Sequence, residues 1–374
     1  MNCRWCAGDL QLQPLLALRG IPQGAQSLPL IDELDNERGV DLLIHRCTDC
    51  DLVQTVGTAV PYYREVLRAN AYSPAMRTFR QGQLQDWVAR HSLKGQSVLE
   101  VGCGRGEFLD LLREAGALTV GTEYGLAAAQ AARGQGHEVW TAYPGDGPLP
   151  THGGFAAWTS FNFMEHWPDP KSVLRSVRQR LRAGAVGLVE VPNFEMMLQQ
   201  RLLTEFIPDH VAYFTEATLS RCLEGAGFDV ELIRPIWHGY ILSAEIRLRE
   251  PASLAGFEDQ LRGLSSQLQA FAQRHRPGRV AVWGAGHQSL TTLALADIHS
   301  RVRYVVDSAP FKQGRYTPAT HLPIRSPEAL RQDPVDAVIV MAAGYSDEVL
   351  RIIRQDHDPS LEVAVVRETG LEVA

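Results

Sequence analysis

The stretch SVLEVGCGRGEFLDLLREAG, residues 97–116, constrains the fold more than any other part of the chain. Val98, Leu99 and Val101 form a short apolar run of strand type. Gly102, Gly104 and Gly106 let the backbone turn sharply, and Phe108, Leu109, Leu111, Leu112 and Ala115 recur at helical spacing. A strand, a glycine turn and an amphipathic helix in this order open a cofactor-binding βαβ unit, with the helix N–H groups facing the turn.

The flanking residues select the cofactor class. A carboxylate just before the first glycine, Glu100, repels a pyrophosphate but favours the sulfonium and ammonium of S-adenosylmethionine (SAM). The next strand, LTVGTEYG, ends in Glu123 and Tyr124, where such folds place an acid on ribose hydroxyls. Glu100, Gly102, Gly104, Glu123 and Tyr124 are therefore the expected cofactor residues. The ExGCGxG pattern with its downstream acid resembles the class I SAM-dependent methyltransferases. The alternative is a plain Rossmann turn that binds NAD or nothing.

Length sets the next bound, because 374 residues exceed one ordinary core and call for two or three domains. The net charge of -7 leaves no large basic footprint, which argues against nucleic acid and for a small-molecule substrate. No apolar stretch has membrane-spanning length, and MNCRWCAGDL carries cysteines where a signal peptide needs an apolar run. The expectation is a cytoplasmic protein with no membrane partner.

In a reducing cytoplasm, the knuckles Cys3-x-x-Cys6 and Cys47-x-x-Cys50 read as a zinc site. Four thiolates satisfy a tetrahedral ion and leave no open position, so one structural zinc per chain is expected. The Pro- and Gly-containing loop between the knuckles could build little core unaided. A helix is predicted over residues 74–90, after Tyr62, Tyr63 and Tyr72; Tyr72 lies where a lid would precede the cofactor unit.

Strand and helix then alternate to about residue 250, as in a doubly wound, mostly parallel sheet. The strand FAAWTSFNF leads into EHWPDP, at the sheet edge where open α/β folds bind ligands. A helix is predicted over 171–184 and a strand over 185–193, followed by an irregular insertion containing Phe206, Ile207, Pro208, Asp209 and His210. From about residue 251 the pattern restarts with a second strand, glycine turn and helix, RVAVWGAGHQSLTTLALAD. Its turn, with Gly284, Gly286 and His287, offers backbone N–H groups, while the strand that follows carries Asp307, Lys312 and Arg315 for a nucleotide. GAGHQS lacks the third glycine of a dinucleotide fingerprint. The expected domains are residues 1–73 (zinc), 74–250 (SAM) and 251–374 (Rossmann-like, substrate- or nucleotide-binding).

Cysteine knuckles, a SAM unit, EHWPDP, PDHVAYFT and a second glycine turn, in that order, resemble the zinc-containing, three-domain sugar C-methyltransferases. These act on dTDP-linked 4-keto deoxysugars. The resemblance covers nearly the whole chain and implies a zinc held by Cys3, Cys6, Cys47 and Cys50, SAM in the middle domain, and the nucleotide-sugar against the C-terminal domain. The family draws its active site from a histidine near EHWPDP, a tyrosine ahead of the SAM domain and a Tyr-x-Glu-His run. The matching positions are His166, Tyr72 and residues 207–210. Asp209-His210 keeps the acid and the histidine, but Ile207 stands where the family has tyrosine.

Read from the residues alone, His210 is the base candidate, oriented by Asp209, because an imidazole in an irregular insertion titrates near working pH. His166 at the strand edge could also serve only to hydrogen-bond backbone. Four readings follow: C-methylation of a nucleotide-linked sugar; O-methylation of a sugar or other hydroxylated metabolite; a zinc-ribbon RNA methyltransferase, which the acidic balance opposes; and a non-catalytic SAM- or nucleotide-binding protein.

Overall fold

The structure, a computed structural model, describes residues 2–25, 28–35, 37–65, 73–150 and 153–374. It divides into two compact units, Met1–Pro251 and Ala252–Ala374.

The first unit opens with strands β1 (Leu16–Ile21), β2 (Val40–Arg46) and β3 (Val53–Thr55) and helix α1 (Pro74–Arg90). The alternating part follows as β4 (Ser97–Val101), α2 (Glu107–Glu114), β5 (Leu118–Glu123), α3 (Leu126–Gly134), β6 (Glu138–Thr141), β7 (Phe155–Phe161), α4 (Pro170–Arg178) and β8 (Leu181–Pro192). It closes with α5 (Phe194–Gln200), β9 (Ala212–Tyr213), α6 (Glu216–Gly225), β10 (Phe228–Ile236) and β11 (Ile241–Leu248).

Seven strands form one sheet in the order β10-β11-β8-β7-β4-β5-β6. β8, β7, β4, β5 and β6 run parallel, β11 pairs antiparallel with β8, and β10 pairs antiparallel with β11 and so runs with the parallel set. This is the class I SAM methyltransferase arrangement, a Rossmann-like sheet. The chain leaves β4 toward β5 and β6 on one side and continues with β7 and β8 on the other. The order therefore reverses between β4 and β7, and a crevice opens at their C-terminal ends.

Helix α1 starts where predicted, with Pro74 in its first turn and Ser73 accepting the Met76 N–H at 3.2 Å. Its buried Arg80 pairs with fully buried Glu190 on β8, and that carboxylate also accepts from Gln83 at 2.6 Å and Ser243 at 2.9 Å. A buried ion pair satisfied on this many sides fixes the helix on the sheet. The helix expected over 171–184 ends at Arg178, and β8 begins at Leu181 rather than 185. Tertiary pairing overrides propensity here: the Phe155 N–H donates to the Arg180 carbonyl, the Arg180 guanidinium to the Leu149 carbonyl, and Leu181 falls into register with Phe155.

The cysteine-bearing segment shares this unit. A second sheet runs β1-β2-β3-β9, so β3 pairs with a strand about 160 residues later, Val53 opposite Tyr213. Leu42, Ile44, Val53, Phe194, Met197 and Tyr213 pack together beneath it. The segment between the knuckles, expected to build little core unaided, therefore contributes β1 and β2, and β3 and β9 complete their sheet.

The second unit contains α7 (Phe257–Gln273), β12 (Val280–Trp283), α8 (His287–Leu295), β13 (Val302–Val306), β14 (Ile324–Arg325), α9 (Ala329–Gln332), β15 (Ala337–Val340), α10 (Ser346–Asp356), β16 (Glu362–Arg367) and β17 (Gly370–Val373). Its sheet, β14-β13-β12-β15-β16-β17, is parallel except for β17 and has apolar clusters of its own. It too reverses order, between β12 and β15. No helix among the described residues is long and apolar enough to cross a membrane.

Candidate active site

The glycine turn after β4 is held open by its surroundings. Gly102, at φ 73°, has no room for a side chain, because a Cβ there would lie 2.5 Å from the Phe163 ring. The Gly102 and Cys103 N–H groups donate to the Thr122 carbonyl at 3.0 and 2.9 Å, which ties the turn to β5. Glu123, at the end of β5 and 6 % exposed, accepts from the Gly104 N–H at 2.9 Å and the Gly125 N–H at 2.8 Å. One backbone N–H on each oxygen clamps the carboxylate in a single orientation at the end of β5. Glu100 is fully buried beside the turn, and Tyr124 lies at the rim, 39 % exposed.

Two residues of this rim were not anticipated. Arg64 makes a forked contact with Asp146, at 2.9–3.2 Å, and sits over the rings of Tyr63, Tyr124 and Tyr143. The fork ties the segment after β3 to the loop after β6. No local pattern signals a pair 82 positions apart.

The C-terminal end of β7 supplies the polar centre. Asn162 takes a left-handed φ of 48°, and the short helical turn Met164–His166 brings Glu165 and His166 to the crevice edge. The loop before β9 is stitched onto this turn. The Val211 N–H donates to the Glu165 carbonyl, and His166 Nδ1 lies on the Asp209 carbonyl, both at 2.8 Å. A carbonyl only accepts, so Nδ1 carries the proton and the neutral ring keeps its lone pair on Nε2. Nε2 lies 3.8 Å from Glu165 Oε1. The His210 ring meets His166 edge-on with centroids 4.8 Å apart, and the Tyr213 ring centroid lies 6.2 Å from that of His210.

Burial drives the His166 pKa down to about 4. His210 is pushed well below the ordinary imidazole value, by burial first and by the neighbouring His166 second. Both rings are thus neutral at pH 7, with lone pairs available.

Two expected roles change. Asp209 does not orient His210: its carboxylate, 1 % exposed, accepts from the Tyr62 hydroxyl and the Ala25 N–H, both at 2.8 Å. Residues 207–210 form a turn closed by the His210 N–H on the Ile207 carbonyl at 3.3 Å, so adjacency in sequence did not make the pair. His166 makes the backbone bond named as its alternative role, and its remaining nitrogen accepts rather than donates. Tyr72 lies outside the described residues. Ile207 presents backbone to Tyr213, whose hydroxyl is 3.3 Å from both its N–H and its carbonyl.

The four cysteines meet as a tetrahedral ion requires. Cys3 and Cys50 Sγ are 3.6 Å apart, Cys6 and Cys47 Sγ 3.4 Å, and all four lie within 4.8 Å of one another as free thiols. Zinc–sulfur bonds of about 2.3 Å set sulfurs roughly 3.8 Å apart. The Trp5, Gly8 and Asp49 N–H groups donate to Cys3, Cys6 and Cys47 at 3.3–3.4 Å, support that suits thiolates. The cluster fits zinc.

In the second unit, Asp307 at the end of β13 accepts from the Ala285 N–H at 2.8 Å and from Lys312 Nζ at 2.9 Å. Lys312, expected with Arg315 as a candidate phosphate contact, here pairs with Asp307. The Gly284 N–H donates to Val306, and a Cβ on Gly284 would lie 2.5 Å from the Met341 carbonyl, so this glycine serves close packing against the end of β15. Gly286 and His287, both exposed, open α8. Arg315 is exposed and lines a shallow groove with Tyr316 and Arg325.

Comparison with known proteins matches residues 76–233 to a methyltransferase domain family and residues 242–359 to the C-methyltransferase C-terminal domain family. The chain is 25% identical over 287 residues to the C-methyltransferase NovU of Streptomyces niveus, covering 68% of each protein. It is 29% identical over 162 residues to a ubiquinone biosynthesis O-methyltransferase of Aeromonas salmonicida, covering 38% of this chain and 67% of that protein.

Proposed function

The chain is a SAM-dependent methyltransferase that carries a C-methyltransferase C-terminal domain, and we propose that it methylates a carbon of a nucleotide-linked keto sugar with His210 as general base. The observation that carries this reading is a pair of imidazoles in edge-on contact, His166 from the turn after β7 and His210 from the loop before β9. Bound SAM supplies an electrophilic methyl. His210 removes the proton from the carbon beside the carbonyl, and that carbon attacks the methyl as S-adenosylhomocysteine leaves. His166, buried and fixed at Nδ1, holds the second ring against His210. One structural zinc occupies the cysteine cluster.

O-methylation of a hydroxylated metabolite is the second reading, supported by the likeness to ubiquinone biosynthesis O-methyltransferases within the methyltransferase domain. There His210 takes a hydroxyl proton instead. Incubating a panel of nucleotide-linked sugars with SAM tests both readings. A one-methyl mass gain whose label resides on carbon supports the first, label on oxygen the second, and no gain on any sugar counts against both.

Glu123→Ala is expected to weaken SAM binding. Losing a charged acceptor costs on the order of 1.5–3 kcal/mol, or roughly tenfold or more in Kd. Calorimetry finding unchanged affinity would mean that the adenosine lies elsewhere.

In the second unit we assign the nucleotide phosphates to the N–H groups of Gly286 and His287 at the start of α8. A carboxylate at that helix end opposes an anion by about 0.3–2 kcal/mol. His287→Glu, at an exposed position, should weaken binding of the nucleotide-sugar several-fold and leave SAM affinity unchanged. Equal nucleotide-sugar affinity in the variant would remove this assignment.

A further inference from the structure

The base reading uses one imidazole, yet two imidazoles and a carboxylate converge at the end of β7. Glu165 and His166 come from the turn after that strand and His210 from the loop before β9. Their ligand atoms all lie within 4.8 Å of one another. Two histidines with one carboxylate form a donor set that divalent first-row ions take, at about 2.0–2.2 Å from each donor. A tetrahedral ion then needs donors roughly 3.3 Å apart. Glu165 Oε1 and His166 Nε2, at 3.8 Å, already approach that spacing, and a ring nitrogen of His210 lies within 4.8 Å of both.

His166 is also set up as a ligand. Its Nδ1–H donates to the Asp209 carbonyl at 2.8 Å, which leaves the Nε2 lone pair on the side of Glu165. Metal-bound histidines are held in this way, by a backbone or carboxylate acceptor on the other nitrogen. That acceptor is itself anchored, since the Asp209 carboxylate is held by Tyr62 and the Ala25 N–H. Three protein donors leave a coordination position for water or a substrate oxygen, unlike the four-cysteine cluster.

We propose that Glu165, His166 and His210 bind one divalent transition ion of the zinc or cobalt(II) class, and that this ion inhibits methyl transfer by taking the lone pair that His210 uses as a base. The inhibition rests on the reading of His210 as base; the binding does not.

The test titrates the full chain, carrying zinc at its cysteines, with cobalt(II). The expected result is one further equivalent bound, seen as visible d–d absorption without a near-ultraviolet thiolate charge-transfer band, with turnover falling as the site fills. Glu165→Gln and His210→Asn should each weaken this binding by at least roughly tenfold, the scale on which even outer-shell losses act at metal sites. An absent cobalt signal, one that carries the thiolate band, or one unchanged in both variants would overturn the site. Cobalt bound at these residues with undiminished turnover would overturn the inhibition and the base role of His210, while the metal site stands.

Discussion

Cys47→Ser is expected to give a protein that purifies without zinc and melts well before the parent. Structural zinc contributes apparent free energies of about 10–16 kcal/mol in small zinc-binding peptides, and binding energy at such sites is folding energy. Here the loss should spread, because the cluster is built into the methyltransferase core. Cys3, Trp5, Cys47, Cys50 and Leu52 belong to the same apolar cluster as Leu99, Trp158 and Phe228. Arg221 on α6 reaches the Cys50 carbonyl, and a Cβ on Gly225 would lie 2.9 Å from the Trp5 ring. β3, only three residues after Cys50, pairs with β9, which begins two residues after His210. Loss of metal should therefore open the β1-β2-β3-β9 sheet to proteases and loosen the His210 loop. Residues 252–374, with apolar clusters of their own, should keep a separate transition. Metal analysis combined with thermal melting and limited proteolysis checks this. A zinc-free variant with the parent's melting curve would mean that the thiols have no structural role.

His210→Asn is expected to cost roughly 10²- to 10⁴-fold in turnover, the usual contribution of a positioned base, with SAM affinity nearly unchanged. The two effects should separate because SAM is assigned to the glycine turn and Glu123, which are fixed by bonds to Thr122 and Gly125 that do not involve His210. The amide of Asn keeps hydrogen-bonding capacity but cannot take a proton at neutral pH, so the substitution isolates base function. Asp209→Asn should act differently. That carboxylate holds Tyr62 and the Ala25 N–H, so its loss should appear first in stability. Single-turnover kinetics with calorimetry on the same preparations checks both variants, and near-normal turnover by His210→Asn would remove this histidine from the chemistry.

Much of this architecture was legible because it is local. The β4–turn–α2 unit announces itself within 20 residues, the cap and proline of α1 set its start, and the restart after residue 250 repeats a strand–glycine–helix order. The glycine turn and the strand-end acid Glu123 could be placed because both belong to one local βαβ unit. Pairings of distant segments were not legible. β3 with β9, Arg64 with Asp146 and Tyr62 with Asp209 each join positions more than 80 residues apart. Glu165 went unremarked beside His166, because only the fold turns both toward the segment that carries His210. The ion pair of Lys312 with Asp307 also went unread, although the two are only five residues apart.

The account stands most directly on proton abstraction from carbon. A nucleotide-linked 4-keto sugar is incubated with the enzyme in heavy water, with S-adenosylhomocysteine in place of SAM so that no methyl is transferred. Deuterium should enter only at the carbon beside the carbonyl, and His210→Asn should slow its entry by roughly the same factor as turnover. No deuterium at that carbon under conditions where the same enzyme methylates the sugar with SAM, or equal entry with His210→Asn, would contradict it.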